Sequence, residues 1–127
     1  MNSAGYIELI QRVGEISQEP QYKKDFYDLV LDVLEFKNWK QNDLINSLEV
    51  DRKTLYNHIY GICNSREETI HICVALGLDL VSTMIFLMSK GYILNINNHR
   101  DKKIMQFLNT NKTDGLFRML DYYEFVK

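Results

Sequence analysis

Between Trp39 and Gly61 the chain carries two short helical patterns with almost no chain between them, and this spacing restricts the fold more than any other feature. The stretch reads WKQNDLINSLEVDRKTLYNHIYG. Leu44, Ile45 and Leu48 recur at helical spacing over 41–48, and Leu55 and Ile59 do so over 52–60. A connection of only three or four residues forces two such helices to cross at a steep angle. Val50 must then plug the turn from its inner side. Asp51 stands where the second helix needs an N-cap acceptor. Arg52, Lys53, Tyr56 and Asn57 remain on the outward face of that helix.

The rest of the chain favours helices over sheets. One proline (Pro20) and six glycines in 127 residues are too little punctuation for a many-stranded sandwich or barrel. Tyr6, Leu9, Ile10, Val13 and Ile16 predict an N-terminal helix that stops before Pro20. A stronger amphipathic pattern runs from Tyr22 to Lys37 on Phe26, Leu29, Val30, Val33, Leu34 and Phe36. Its acids Asp25, Asp28, Asp32 and Glu35 fall mostly on the wet side, and Asn38 breaks it. Ser65 and Glu68 have the spacing of a capping box, opening a helix over 66–76 with Ile70, Cys73, Val74 and Leu76 as its apolar face. Gly77 closes that helix, Asp79 caps the next through Lys90, and Gly91 ends it. After the turn-prone Asn95, Asn97 and Asn98, one helix is expected from about Arg100 on Ile104, Met105, Phe107 and Leu108. Another is expected after Thr113 on Leu116, Phe117, Leu120, Tyr123 and Phe125.

Residues 39–61 resemble the helix-turn-helix of the Cro/phage-repressor (Xre-like) family. Gln41 matches the glutamine that often opens the family's first motif helix and contacts a phosphate. Thr54 and Leu55 match its Ser/Thr-Ile pair, and Gly61 matches the glycine ending its recognition helix. IHICVALGLDL at 70–80 is similar to the helix that follows in the family, so the resemblance covers 22–90. GYIL at 91–94 through RDKKIMQFLN at 100–109 resembles, more loosely, short bacterial proteins that append two small helices to this domain. The chain departs from the pattern at three places. Ile45 replaces an alanine, Glu49 replaces the turn glycine, and Ile62, Cys63 and Asn64 replace a loop that usually carries basic residues and a proline.

The resemblance implies an all-α fold. Residues 1–127 form a single domain, with a five-helix Cro/repressor-like helix-turn-helix core at 22–90, an extra N-terminal helix in 1–20 and two short C-terminal helices in 91–127. It also implies a sequence-specific double-stranded DNA-binding protein, a transcriptional regulator of bacterial or phage origin. Helix 52–60 would lie in the major groove with Arg52, Lys53 and Asn57 at base edges, while Lys40, Gln41 and Tyr56 fix register on phosphates. So small a module needs a second half-site, which makes a homodimer the expected form.

Charge argues the other way. The net charge is −2, the first 36 residues have the most negative balance (seven acids against three bases), and only 37–60 and 91–127 are mildly basic. The competing reading is a protein-interaction module, an adaptor, antirepressor or antitoxin-like partner built on the same helices without strong DNA binding. An exposed apolar patch of Tyr6, Ile10 and Val13, or of Phe117, Tyr123 and Phe125, would serve it. Cys63 and Cys73 form no CxxC and no zinc spacing with His58, His71 or His99, so no metal and no cofactor is expected. No phosphate loop, nucleophile elbow or H-E-x-x-H occurs, which argues against an enzyme. The start MNSAGYIELIQR is not a signal peptide, and Val81–Leu94 is interrupted by polar residues well short of a membrane span. A cytoplasmic location is the expectation.

Overall fold

The computed structural model describes residues 3–48, 65–110 and 118, and among these the chain is all-helical. In chain order the helices are α1 (Ser3–Ile16), α2 (Phe26–Lys37), α3 (Gln41–Leu48), α4 (Arg66–Ala75), α5 (Leu80–Ser89) and α6 (His99–Thr110). The expected helices over 52–60 and after Thr113 lie outside the described residues.

α5 is the hub. It packs against α1, α2, α4 and α6, while α3 packs against α4. Its sequence explains the position: LVSTMIFLMS is apolar on nearly every side, and such a helix is stable only with neighbours all round it. Leu80, Met84, Ile85, Phe86 and Leu87 are buried, each contributing roughly 1.5–3 kcal/mol. Phe86 meets Phe26 edge-on at a centroid distance of 5.8 Å. Ser82 and Thr83 are also fully buried, and Asp79 holds both at the helix start: the Ser82 amide donates to its carboxylate and the Thr83 hydroxyl to its carbonyl.

Three helices end in the same way. Asn38 (φ 57°), Gly77 (φ 72°) and Gly91 (φ 80°) adopt the left-handed conformation. Next to them, the amides of Trp39, Leu78 and Tyr92 donate back to the carbonyls of Leu34, Cys73 and Leu87. This paired closure satisfies carbonyls that a helix end leaves open, and it turns an apolar side chain back onto the body. Helix starts are equally local. Ser65 accepts from the Glu68 amide and Asn98 from the Asp101 amide.

Two expectations need correcting. The second helix starts at Phe26, not Tyr22: residues 23–25 are irregular and Tyr22 is buried from the preceding turn. On α4 the buried face is Thr69, Ile70, Ile72 and Cys73, whereas Val74 is 41% exposed. Of the expected face Ile70, Cys73 and Leu76 are buried, while Ile72 and Thr69, whose hydroxyl donates to the Ser65 carbonyl, are buried in place of Val74.

α6 is tied down by charge. Both terminal nitrogens of Arg66, at the start of α4, donate to the Asp101 carboxylate at 2.7 Å. Asp101 is buried and also accepts from the Asn95 amide, and Arg66 donates further to the Ile93 carbonyl. The guanidinium beside it holds the Asp101 carboxyl below the usual carboxylate range, and the same contact raises Arg66.

Candidate nucleic-acid interface

Six residues are expected at the interface. Arg52, Lys53, Tyr56 and Asn57 lie outside the described residues; Lys40 and Gln41 lie within them. These two open α3, where Gln41 is the first helical residue and both side chains are exposed. α3 is narrow-faced: Leu44 and Leu48 are buried, Ile45 is half-buried, and the remaining five residues are exposed. With the apolar stripe sealed against α4, the opening turn is held outward.

The turn is ordered by its own acid. The Lys40 amide donates to the Asp43 carboxylate at 2.8 Å, and the Asp43 amide donates to the Lys40 carbonyl at 3.0 Å. A carboxylate here suits the positive end of the helix dipole, but it also opposes any incoming phosphate. Lys37 brings a second cation to this corner. Its ammonium lies 5.0 Å from the Trp39 ring centroid, and it would sit 3.4 Å from a Cβ added at Gly77. Among the described residues this corner carries Lys37, Lys40, Gln41 and the acid Asp43. Sequence reasoning missed Lys37 and Asp43. The only available signal was their closeness in sequence to Lys40 and Gln41.

Trp39 is half-buried at the helix junction. At the start of α6, Arg100 pairs with Glu67 at 3.2 Å, so it is partly neutralised. Tyr6 and Val13 are buried inside the chain, which removes two of the three residues of the apolar patch expected on α1. His71 is exposed, and Cys73 is a free thiol deep in the core, its pKa driven up by burial. Among the described residues no group of histidines, cysteines and acids is arranged to hold a metal, and no helix is long and apolar enough to cross a membrane. Comparison with family models, with curated proteins and with solved structures finds no match to this chain.

Proposed function

We propose that this chain is a sequence-specific double-stranded DNA-binding protein, a transcriptional regulator of bacterial or phage type acting as a homodimer. Residues 22–90 form its helix-turn-helix core, and helix 52–60 reads the major groove through Arg52, Lys53 and Asn57, with Tyr56 on the backbone. One observation supports this reading best. The opening turn of α3 presents Lys40 and Gln41 to solvent while the opposite stripe, Leu44 and Leu48, is buried on α4. A phosphate-facing helix end must be oriented in this way.

The test is fluorescence anisotropy of a labelled random-sequence duplex at low and moderate salt, with wild type and with Arg52→Ala/Lys53→Ala. The expected result is binding that weakens steeply with salt, as release of counterions from several phosphates requires, and that drops in the variant. The acid at the α3 corner and the net charge of −2 favour the second reading, a protein-interaction module. Absence of binding even at low salt would turn the assignment to that reading.

A further inference from the structure

A cleft of about 560 Å³ opens on the side of the molecule formed by the C-terminal ends of α1 and α5 and the segment between α1 and α2. Its volume falls within the range of about 300–1,000 Å³ typical of small-molecule sites. Ile85, Met88 and Ile93 supply its apolar surface, and Lys23, Lys24 and Asp25 line its charged side. The cleft does not depend on the DNA reading and shares no residue with the α3 corner.

Four features of this cleft are left unexplained by the fold. Gly14 lies within α1 and lines the cleft, yet a Cβ built on it meets nothing within 4 Å. A helical glycine is unfavourable unless something must occupy the place of its side chain, and no described atom of this chain outside α1's own backbone does. Ile93, at 62%, is the most exposed of the described large apolar side chains. Its backbone is held by the Arg66 guanidinium on its carbonyl at 3.1 Å, so the side chain is exposed from a fixed position. Asp25 occupies the N-cap of α2, where an aspartate ordinarily accepts from a helix amide, but its carboxylate makes no such bond. Lys24 is engaged by Asp32 at 2.9 Å, whereas the Lys23 ammonium is exposed and has no described partner.

We infer that this cleft is a binding site for a small zwitterion with an apolar body, the class of an α-amino acid with a large apolar side chain. The apolar body lies over Ile85, Met88 and Ile93, in the space that the missing Gly14 side chain leaves. The anionic group pairs with Lys23 and the cationic group with Asp25. A purely anionic ligand would leave the Asp25 carboxylate facing it unpaired, and a purely cationic one would do the same at Lys23. Desolvating one charge without its counterpart is unfavourable, so the two groups together select a ligand carrying both signs.

The probe is L-phenylalanine, titrated into the full chain carrying labelled isoleucine and methionine methyl groups and followed by NMR. The site predicts saturable shifts at Ile85, Met88 and Ile93, with the buried Ile72 and Met105, which do not line the cleft, unmoved. 3-Phenylpropionate and phenethylamine, each lacking one charge, are expected to bind at least about tenfold more weakly, which corresponds to about 1.4 kcal/mol. Gly14→Leu fills the space and removes a Gly from a helix, so it should fold at least as well as wild type and bind at least about tenfold more weakly. Lys23→Gln should weaken phenylalanine and 3-phenylpropionate while leaving phenethylamine unchanged, and Asp25→Asn should weaken phenylalanine and phenethylamine while leaving 3-phenylpropionate unchanged. Absence of saturable shifts at about ten millimolar would overturn the site. So would equal binding by Gly14→Leu, its methyl spectrum showing it folded. Binding of either single-charge analogue as tightly as phenylalanine would overturn the zwitterion assignment.

Discussion

α5 and α3 are both short helices, of ten and eight residues, and they use their surfaces in opposite ways. α5 buries seven residues, two of them polar, and touches four other helices. α3 buries two residues and turns five outward. One helix can change almost nowhere without a cavity or an unsatisfied group, whereas the other can change on most of its surface without disturbing the core. Stability is concentrated in the first and tolerance of change in the second.

The strongest way to break this comparison is Phe86→Ala. Phe86 is fully buried at the centre of α5 and packs edge-on to Phe26. Truncation leaves a cavity beside Phe26 that rigid neighbours cannot close, so the expected loss is about 3–5 kcal/mol in denaturant unfolding. A loss below about 1.5 kcal/mol, the size of a single methylene deletion, would mean that α5 is not the hub.

Next in size is the charged tie between α4 and α6. Asp101→Ala strands the Arg66 guanidinium and removes the acceptor for the Asn95 amide. Breaking a buried pair typically costs 3–5 kcal/mol; because Arg66 keeps 26% of its side chain in water, about 2–4 kcal/mol is expected. The same pair sets an acid limit. The folded-state pKa of Asp101 lies below its unfolded value, so the contribution is complete above the ordinary carboxylate value of about 3.9. It is lost as the pH falls from there through the depressed folded value. Wild type and Asp101→Ala should therefore converge in stability in that acidic window and differ most at neutral pH. A constant difference across that window would show that the destabilisation comes from lost packing.

These two regions also differ in how far they could be read in the sequence. Helix ends were legible because they are local. Gly77, Gly91, Ser65 and Asp79 act within a few residues of themselves, and each stands in the role its type predicts. The Arg66–Asp101 tie joins positions 35 residues apart, and nothing in either neighbourhood marks it. Tyr22 shows the limit of periodicity. It lies one helical repeat before Phe26 and is buried like it, but from an irregular segment. Burial makes the pattern, and helix is only one way to produce burial. At the α3 corner, the family resemblance marks Gln41, whereas nothing in the sequence marks the acid Asp43, because its bond to the Lys40 amide depends on the geometry of the turn.

A smaller effect comes from Gly14, on the side of α1 that faces the cleft. Gly14→Ala adds a methyl group into open space on a helix, so a gain of about 0.5–1 kcal/mol is expected from the propensity difference. A rise in the thermal midpoint would confirm that the glycine is not needed by the fold. A fall would show that the backbone there depends on it, and would remove one of the four observations behind the proposed cleft ligand.

The smallest stability effect is expected where the largest binding effect should be. Lys40→Ala and Gln41→Ala alter exposed side chains on α3, so each should change unfolding by no more than about 0.5 kcal/mol. If α3 faces a phosphate, Lys40→Ala should lower duplex affinity and reduce the slope of log affinity against log salt by about one. Gln41→Ala should lower affinity and leave the slope nearly unchanged, since no charge is removed. Asp43→Asn gives the sign test. It removes the anion beside the Lys40 amide, so duplex affinity should rise even as the turn loses a charge-assisted bond. A partner protein docking on this corner through a cation would respond in the opposite direction, binding more weakly once Asp43 is neutral. The direction of change in that one variant therefore separates a nucleic acid from a basic protein surface, with the fold held constant on both sides of the comparison.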